Sequence, residues 1–339
     1  MAGRGCFFYA FFSRCTFSFS FTMMVPENPM KEVKHMRVTK SVRVNLQWNT
    51  FTLPIKTGTP VSKTGEMADN NSAVGIIMQQ VNEVSLDEEF YIMTGGEPLV
   101  RKKDVIRLAR KHQDCGFVIF TNGTLIGPSY IEFLKKHLNM IPVISIEGME
   151  HSTDERRGTG MYKRAMMSVE MLHKEDLFFG TSITVTTENF QLVTSDAFVD
   201  NLRQLGCKMI IYVEYVPTEP GTEYLAFGEA DLNKMETVQQ HQKKCFDDMI
   251  IISFPGDEQH MGGCLAAGRG FFHIGPDGSA EPCPFSPFSD SKVTELGILG
   301  ALASPLFRKL KEVHLVGGEH SGGCALYEHR EEVEAMLKQ

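Results

Sequence analysis

No cysteine occurs between Cys15 and Cys115, and the whole 339-residue chain holds only eight, at 6, 15, 115, 207, 245, 264, 283 and 324. That is too few for a secreted disulfide scaffold of this size, and their spread points to a reducing compartment. A dense basic run is also missing, and the formal net charge is −8. This argues against a general nucleic-acid surface. No apolar stretch reaches membrane-spanning length, because Lys, Asp, Asn or Gly interrupts each one. The expectation is a cytoplasmic protein with neither nucleic acid nor a membrane as partner.

Residues 1–25 are unusual. Phe7, Phe8, Tyr9, Phe11, Phe12, Phe17, Phe19 and Phe21 mix with serines and two arginines, without an acid. An organellar targeting segment or a weak signal peptide has such a composition. A misassigned start of the reading frame accounts for it equally well. Residues 1–39 are therefore set apart from the fold.

What is present after Lys40 is an alternation of strands and helices. Phe90-Tyr91-Ile92-Met93 is an apolar strand that ends in Thr94-Gly95-Gly96-Glu97-Pro98. Two glycines at a strand exit let a ligand touch backbone with no Cβ in the way. The pattern predicts a helix opening at Asp104 and stopped by Gly116, then a strand over 117–120 with Thr121-Asn122-Gly123 as its exit turn. It continues with a helix from Pro128 through Leu138, a strand over 142–146 ending at Glu147-Gly148, and a helix from Met161 to His173. A strand over 182–185, a helix from Ser195 closed by Gly206, and a strand over 209–213 leading to Glu214-Tyr215 complete the series. Helical crossovers between hydrophobic strands mean a parallel sheet. About six such units suggest an open, partial (β/α)6 TIM-like barrel over residues 40–228. The polar strand exits then share one face, and Tyr212, Glu214 and Tyr215 are candidates for a pocket lining.

From residue 229 to 339 the texture changes, which suggests a small cysteine-bearing module. Thirteen residues separate Cys264 from Gly278 and four separate Gly278 from Cys283. The stretch between reads as a hairpin, Phe271–Ile274 and Ala280–Pro282, turning at Pro276-Asp277-Gly278-Ser279. Cysteines bracketing a hairpin arrive at one end of it, as a shared metal centre requires. Cys324 is a third donor, and a tetrahedral thiolate site needs a fourth. Three buried, inert thiols are the competing reading.

Several pieces in order resemble the radical S-adenosylmethionine (radical SAM) superfamily, in particular members with a C-terminal auxiliary-cluster module of the SPASM/Twitch kind. They are Thr94-Gly95-Gly96-Glu97-Pro98, Thr121-Asn122-Gly123, Ser145-Ile146-Glu147-Gly148, Asp154-Glu155-Arg156-Arg157-Gly158, Glu214-Tyr215-Val216-Pro217, Gly263-Cys264, Pro282-Cys283-Pro284 and Gly323-Cys324. The resemblance implies S-adenosylmethionine lying across the strand exits. Gly95, Gly96 and Glu97 would meet its amino group, with Asn122 beside them. Ser145 and Glu147 would lie near its ribose, and Arg157 would face its carboxylate. Cys264, Cys283 and Cys324 would hold an auxiliary [4Fe-4S] cluster. The family reaction generates a 5′-deoxyadenosyl radical that abstracts hydrogen from a substrate, here an unidentified small molecule or peptide, with a reductant protein as electron source.

One part of the pattern is missing. The family holds its catalytic cluster with three cysteines spaced Cys-x3-Cys-x2-Cys after the first strand. Here that spacing falls on Val44, Trp48 and Phe51, none of which ligates iron. The auxiliary site is thus a better cluster site than the barrel, and no catalytic residue is assigned. The expectation is an impaired family member, or a silent barrel serving as a binding or scaffold protein.

Overall fold

The computed structural model describes residues 90–113, 115–317 and 324–338, together with the backbone of three short strands, β1 (Ser18–Thr22), β2 (Thr39–Arg43) and β3 (Thr50–Leu53). β1 and β2 form an antiparallel pair of their own. The remaining strands are β4 (Phe90–Met93), β5 (Gly116–Thr121), β6 (Met140–Ile146), β7 (Gly180–Val185), β8 (Met209–Glu214), β9 (Ile250–Phe254), β10 (Phe271–Ile274) and β11 (Ala280–Glu281). They build one sheet in the order β11-β10-β3-β4-β5-β6-β7-β8-β9. Every neighbour in it is parallel except the β10–β11 hairpin.

The six strands β3 to β8 follow the chain in spatial order, as a partial (β/α)6 TIM-like barrel requires. The interiors of β5, β7 and β8 are buried on both faces, as expected of strands in the middle of a parallel sheet. The side chains nevertheless sort by parity. Tyr91, Met93, Phe117, Ile119, Ile144, Ile146, Ile183 and Tyr212 pack outward in the main core. Ile92, Val118, Phe120, Val143, Ile211 and Val213 form a separate inner cluster. Tyr91 stacks on Phe117 with ring centroids 5.5 Å apart, joining β4 to β5 on the outer side.

The tail extends this sheet at both ends. β9 pairs with β8, while β10 pairs with β3. The two edges curl toward each other far enough for Phe254 of β9 to meet Phe271 of β10 edge-on, 6.3 Å between centroids. Cys264, Phe307, Leu326 and Val333 belong to the same core cluster as the outer barrel residues.

Helix ends are set by local chemistry. Ser195 caps the helix Asp196–Gln204 by accepting the Phe198 N–H, and Gly206, at φ 89°, turns the chain out of it. Several limits differ from the sequence pattern: the helix expected to open at Asp104 spans Lys102–Lys111, for example. The helix begun by Pro128 stops at Leu134 rather than Leu138, and Leu138 is exposed. A further helix, Glu150–Arg157, carries the two arginines to the rim of the barrel. Among the described residues no helix is long and apolar enough to cross a membrane.

Candidate functional site

The double-glycine turn stands at the C-terminal end of β4. Gly95 has φ 122°, a conformation that side chains with a Cβ rarely adopt. Glu97 follows in extended conformation and caps the short helical turn Pro98–Arg101. Its Oε1 accepts the Leu99 N–H (3.0 Å) and the Thr121 hydroxyl (2.7 Å), and its Oε2 accepts the Asn122 N–H (2.8 Å). One carboxylate therefore staples the β4 exit to the β5 exit. Burial pushes the Glu97 carboxyl up, and its hydrogen bonds and the Arg157 charge pull the other way. Three of roughly four lone-pair directions on such a carboxylate are used inside the protein. Asn122 is placed by its own Oδ1, which accepts both the N–H and the hydroxyl of Thr124.

Across the rim, β6 delivers Ser145 and Glu147. The Ser145 and Ser182 hydroxyls are 2.9 Å apart and tie β6 to β7 on the inner face. Glu147 is buried. Its Oε1 accepts from Arg157 at 2.5 Å, and its Oε2 accepts the Thr184 N–H at 3.2 Å and lies 3.5 Å from Arg156. Arg156 also covers the Tyr215 ring, 5.8 Å from its centroid. The helix bearing both arginines is anchored by Asp154, which accepts the N–H groups of Gly160 and Tyr162; those bonds hold its carboxyl below the usual range.

Arg157 joins the two clusters. It pairs with Glu147 and lies within electrostatic range of Glu97, and its Nε is buried without a hydrogen-bond partner. A buried unpaired guanidinium N–H is costly unless something accepts it. Gly95, Gly96, Glu97, Asn122, Ser145, Glu147 and Arg157 thus share one rim. Sequence patterns did not single out Thr153, whose hydroxyl accepts the Glu147 N–H, or Asn189, whose amide donates to the carbonyls of Glu147 and Thr184. Both act through long-range contacts that no spacing rule reveals.

Tyr212 and Glu214 do not line this rim. Tyr212 is fully buried in the outer core and donates to the Val193 carbonyl. Glu214, on the same side of β8, accepts from the Ser253 hydroxyl at 2.8 Å; burial pushes its carboxyl up to about 7, and its Oε2 has no partner.

The segment expected to follow the first strand is placed differently. Val44 and Trp48 lie outside the described residues, but Phe51 is inside β3. β3 runs beside β4 with Leu53 opposite Met93, one residue before Thr94. The segment that follows β3 in sequence therefore begins at Pro54, not at residue 44. Residues 54–89 contain no cysteine either, so neither register supplies a thiolate.

In the tail, Cys264 and Cys283 are buried and Cys324 is half-buried. Cys264, Cys283 and Cys324 are close enough to influence one another electrostatically. Burial pushes the Cys264 and Cys283 thiols well up. Residues sixty positions apart in sequence are thus gathered at one point. Among the described residues no group of three or more His, Cys, Asp or Glu side chains stands at the spacing of a formed metal site. The thiols are neighbours without being drawn to coordination distance.

Residues 76–199 match the family model of the Radical SAM superfamily. An AdoMet-dependent heme synthase of Methanosarcina barkeri (strain Fusaro / DSM 804) is 28% identical over 279 residues, which is 74% of this chain and 78% of that protein. Native anSMEcpe with bound AdoMet superposes with a TM-score of 0.58 at 16% identity, over 77% of this chain and 82% of its own. SuiB of Streptococcus suis superposes with a TM-score of 0.60 at 16% identity, over 78% of this chain and 67% of its own. At these identities the two structures speak for the fold.

Proposed function

We propose that this chain, a member of the radical SAM superfamily, binds S-adenosylmethionine across its strand exits but does not cleave it reductively. The observation that carries the binding half is the buried, unpartnered Arg157 Nε at a rim that also holds the Gly95 turn and the Glu147 carboxylate. A carboxylate such as that of the methionine moiety is the natural acceptor for this N–H. Gly95 and Gly96 offer backbone at close approach, and Glu97 retains lone-pair capacity for an ammonium. Ser145 and Glu147 suit hydroxyls of a ribose. When bound, S-adenosylmethionine supplies a sulfonium; the chain's residues hold and orient it and exclude water.

The loss half rests on chemistry. Cleavage in this family needs an iron open to the cofactor, and no thiol lies between Cys15 and Cys115 to hold one. We therefore derive no step through a barrel cluster. We assign the tail thiols Cys264, Cys283 and Cys324 to an auxiliary iron–sulfur cluster on the resemblance alone, with the chain beyond residue 228 as its module. A barrel that binds the cofactor without spending it is a binding or scaffold protein. The heme synthase relative makes a tetrapyrrole the first companion ligand to try, ahead of a peptide.

Calorimetric titration of the purified chain with S-adenosylmethionine tests the binding half. One-to-one binding supports the reading. No heat and no displacement of S-adenosylhomocysteine from the chain would overturn it.

A further inference from the structure

We propose that His273, oriented by Glu281, is a recognition group of the barrel interior, where its Nε2 accepts a hydrogen bond from an apolar ligand carrying one N–H or O–H. This names the chemistry of a companion ligand and does not depend on whether the cofactor binds.

Strand register puts His273 on the inner face. β10 aligns His273 with Thr52 of β3, and β3 aligns Thr52 with Ile92 of β4, a member of the inner cluster. Aligned positions on neighbouring strands share a face. The adjacent residue agrees. The Phe272 ring meets Phe307 of the helix Pro305–Glu312 on the outer side, 5.9 Å between centroids, so the residues flanking it in the strand turn inward. Phe271 accordingly meets Phe254, which is aligned with Val213 of the inner cluster.

His273 is 2% exposed. Its Nδ1 stands 2.6 Å from Oε2 of Glu281, the facing residue of β11. A carboxylate only accepts, so Nδ1 holds the ring proton and the Nε2 of the neutral ring is left as a lone-pair acceptor. That Nε2 is buried and has no hydrogen-bond partner among the described residues. Buried polar atoms are rarely left unsatisfied, so an orphaned acceptor calls for a donor. Glu281 is itself fixed. The Ser279 hydroxyl lies 2.9 Å from its Oε1, and Gly275 makes the room: a Cβ there would crowd that hydroxyl and come within 2.8 Å of that oxygen.

The rest of the inner face decides what kind of donor fits. It is apolar at Ile92, Val118, Val143 and Ile211, and the Ser145 and Ser182 hydroxyls are paired with each other. Apolar walls with one fixed acceptor select a ligand by the presence of a single donor. Phe271, beside His273 on the same face, favours a flat ring. Indole and phenol are the simplest compounds of this kind.

Two related probes isolate the hydrogen bond. Indole and 1-methylindole have nearly the same shape, but only indole has an N–H. In calorimetric titration of the purified full-length chain, without cofactor, indole should bind about fivefold more tightly than 1-methylindole. His273→Phe keeps a ring and removes the acceptor, and should bind the two alike. Glu281→Gln, with the Ser279 hydroxyl donating to the amide oxygen, turns an NH2 toward Nδ1 and moves the ring proton to Nε2, so it too should lose the preference. Long-range ¹⁵N NMR of the His273 ring reads that step directly, with Nε2 unprotonated in wild type and protonated in Glu281→Gln. Equal affinity of wild type for the two probes, or binding of neither, would overturn the proposal. So would a preference kept in either variant, or a wild-type ring protonated at Nε2.

Discussion

Arg157 meets Glu147 at 2.5 Å with one arm of its guanidinium and leaves its Nε buried and unanswered. The salt bridge fixes the fork, and the free N–H gives it something to recognise. Replacing Arg157 by Lys keeps a cation near Glu147 and removes that N–H. A charge-assisted hydrogen bond contributes about 1.5–3 kcal/mol. The Kd for S-adenosylmethionine should therefore rise about tenfold or more in calorimetry. The decarboxylated cofactor should bind wild type and Arg157→Lys about equally. Equal affinity of both chains for the intact cofactor would remove Arg157 from the site.

Glu97 should prove a structural residue as well as a binding one. Glu97→Gln retains an acceptor for Leu99 and Thr121 but turns an NH2 toward the Asn122 N–H, leaving two donors face to face. The cost should be about 1–3 kcal/mol, read from urea denaturation. A midpoint unchanged from wild type would show that the staple between β4 and β5 is idle.

Stability should fall as pH rises, in part because of Glu214. It faces the Ser253 hydroxyl, the Gly256 N–H, Asp257 and Glu258, across a small cavity from Glu236, Gln239 and His260. Burial, the largest cause, raises its carboxyl to about 7. Below about pH 4 the group is protonated in both folded and unfolded chains. Between there and about 7 the unfolded chain releases the proton while the folded chain keeps it, so stability is lost across that window and is level above it. The total is roughly 3 kcal/mol. Glu214→Gln should remove this slope, so that the variant gains on wild type between pH 5 and pH 8. Parallel profiles for the two chains would refute the assignment.

The barrel was legible because each of its strands from β4 to β8 is a short apolar run closed by glycine or a polar exit. The helix Glu150–Arg157 was not, because only Thr153 of its residues is buried and no apolar stripe marks it. Gathering of Cys264, Cys283 and Cys324 followed from the hairpin between the first two, which the structure holds as β10 and β11. Phe51 misled because motif spacing alone put it in the segment after the first strand, whereas it lies inside β3, beside β4.

The central claim is that a cofactor pocket persists where the barrel has no thiolate to hold iron. It is tested most directly by incubating the anaerobically reconstituted chain with S-adenosylmethionine and dithionite, then measuring 5′-deoxyadenosine and iron per chain. The account predicts bound, intact cofactor, no 5′-deoxyadenosine above the protein-free control, and about four irons per chain, all lost in Cys264→Ala. Sustained 5′-deoxyadenosine formation, with about eight irons per chain, would contradict it.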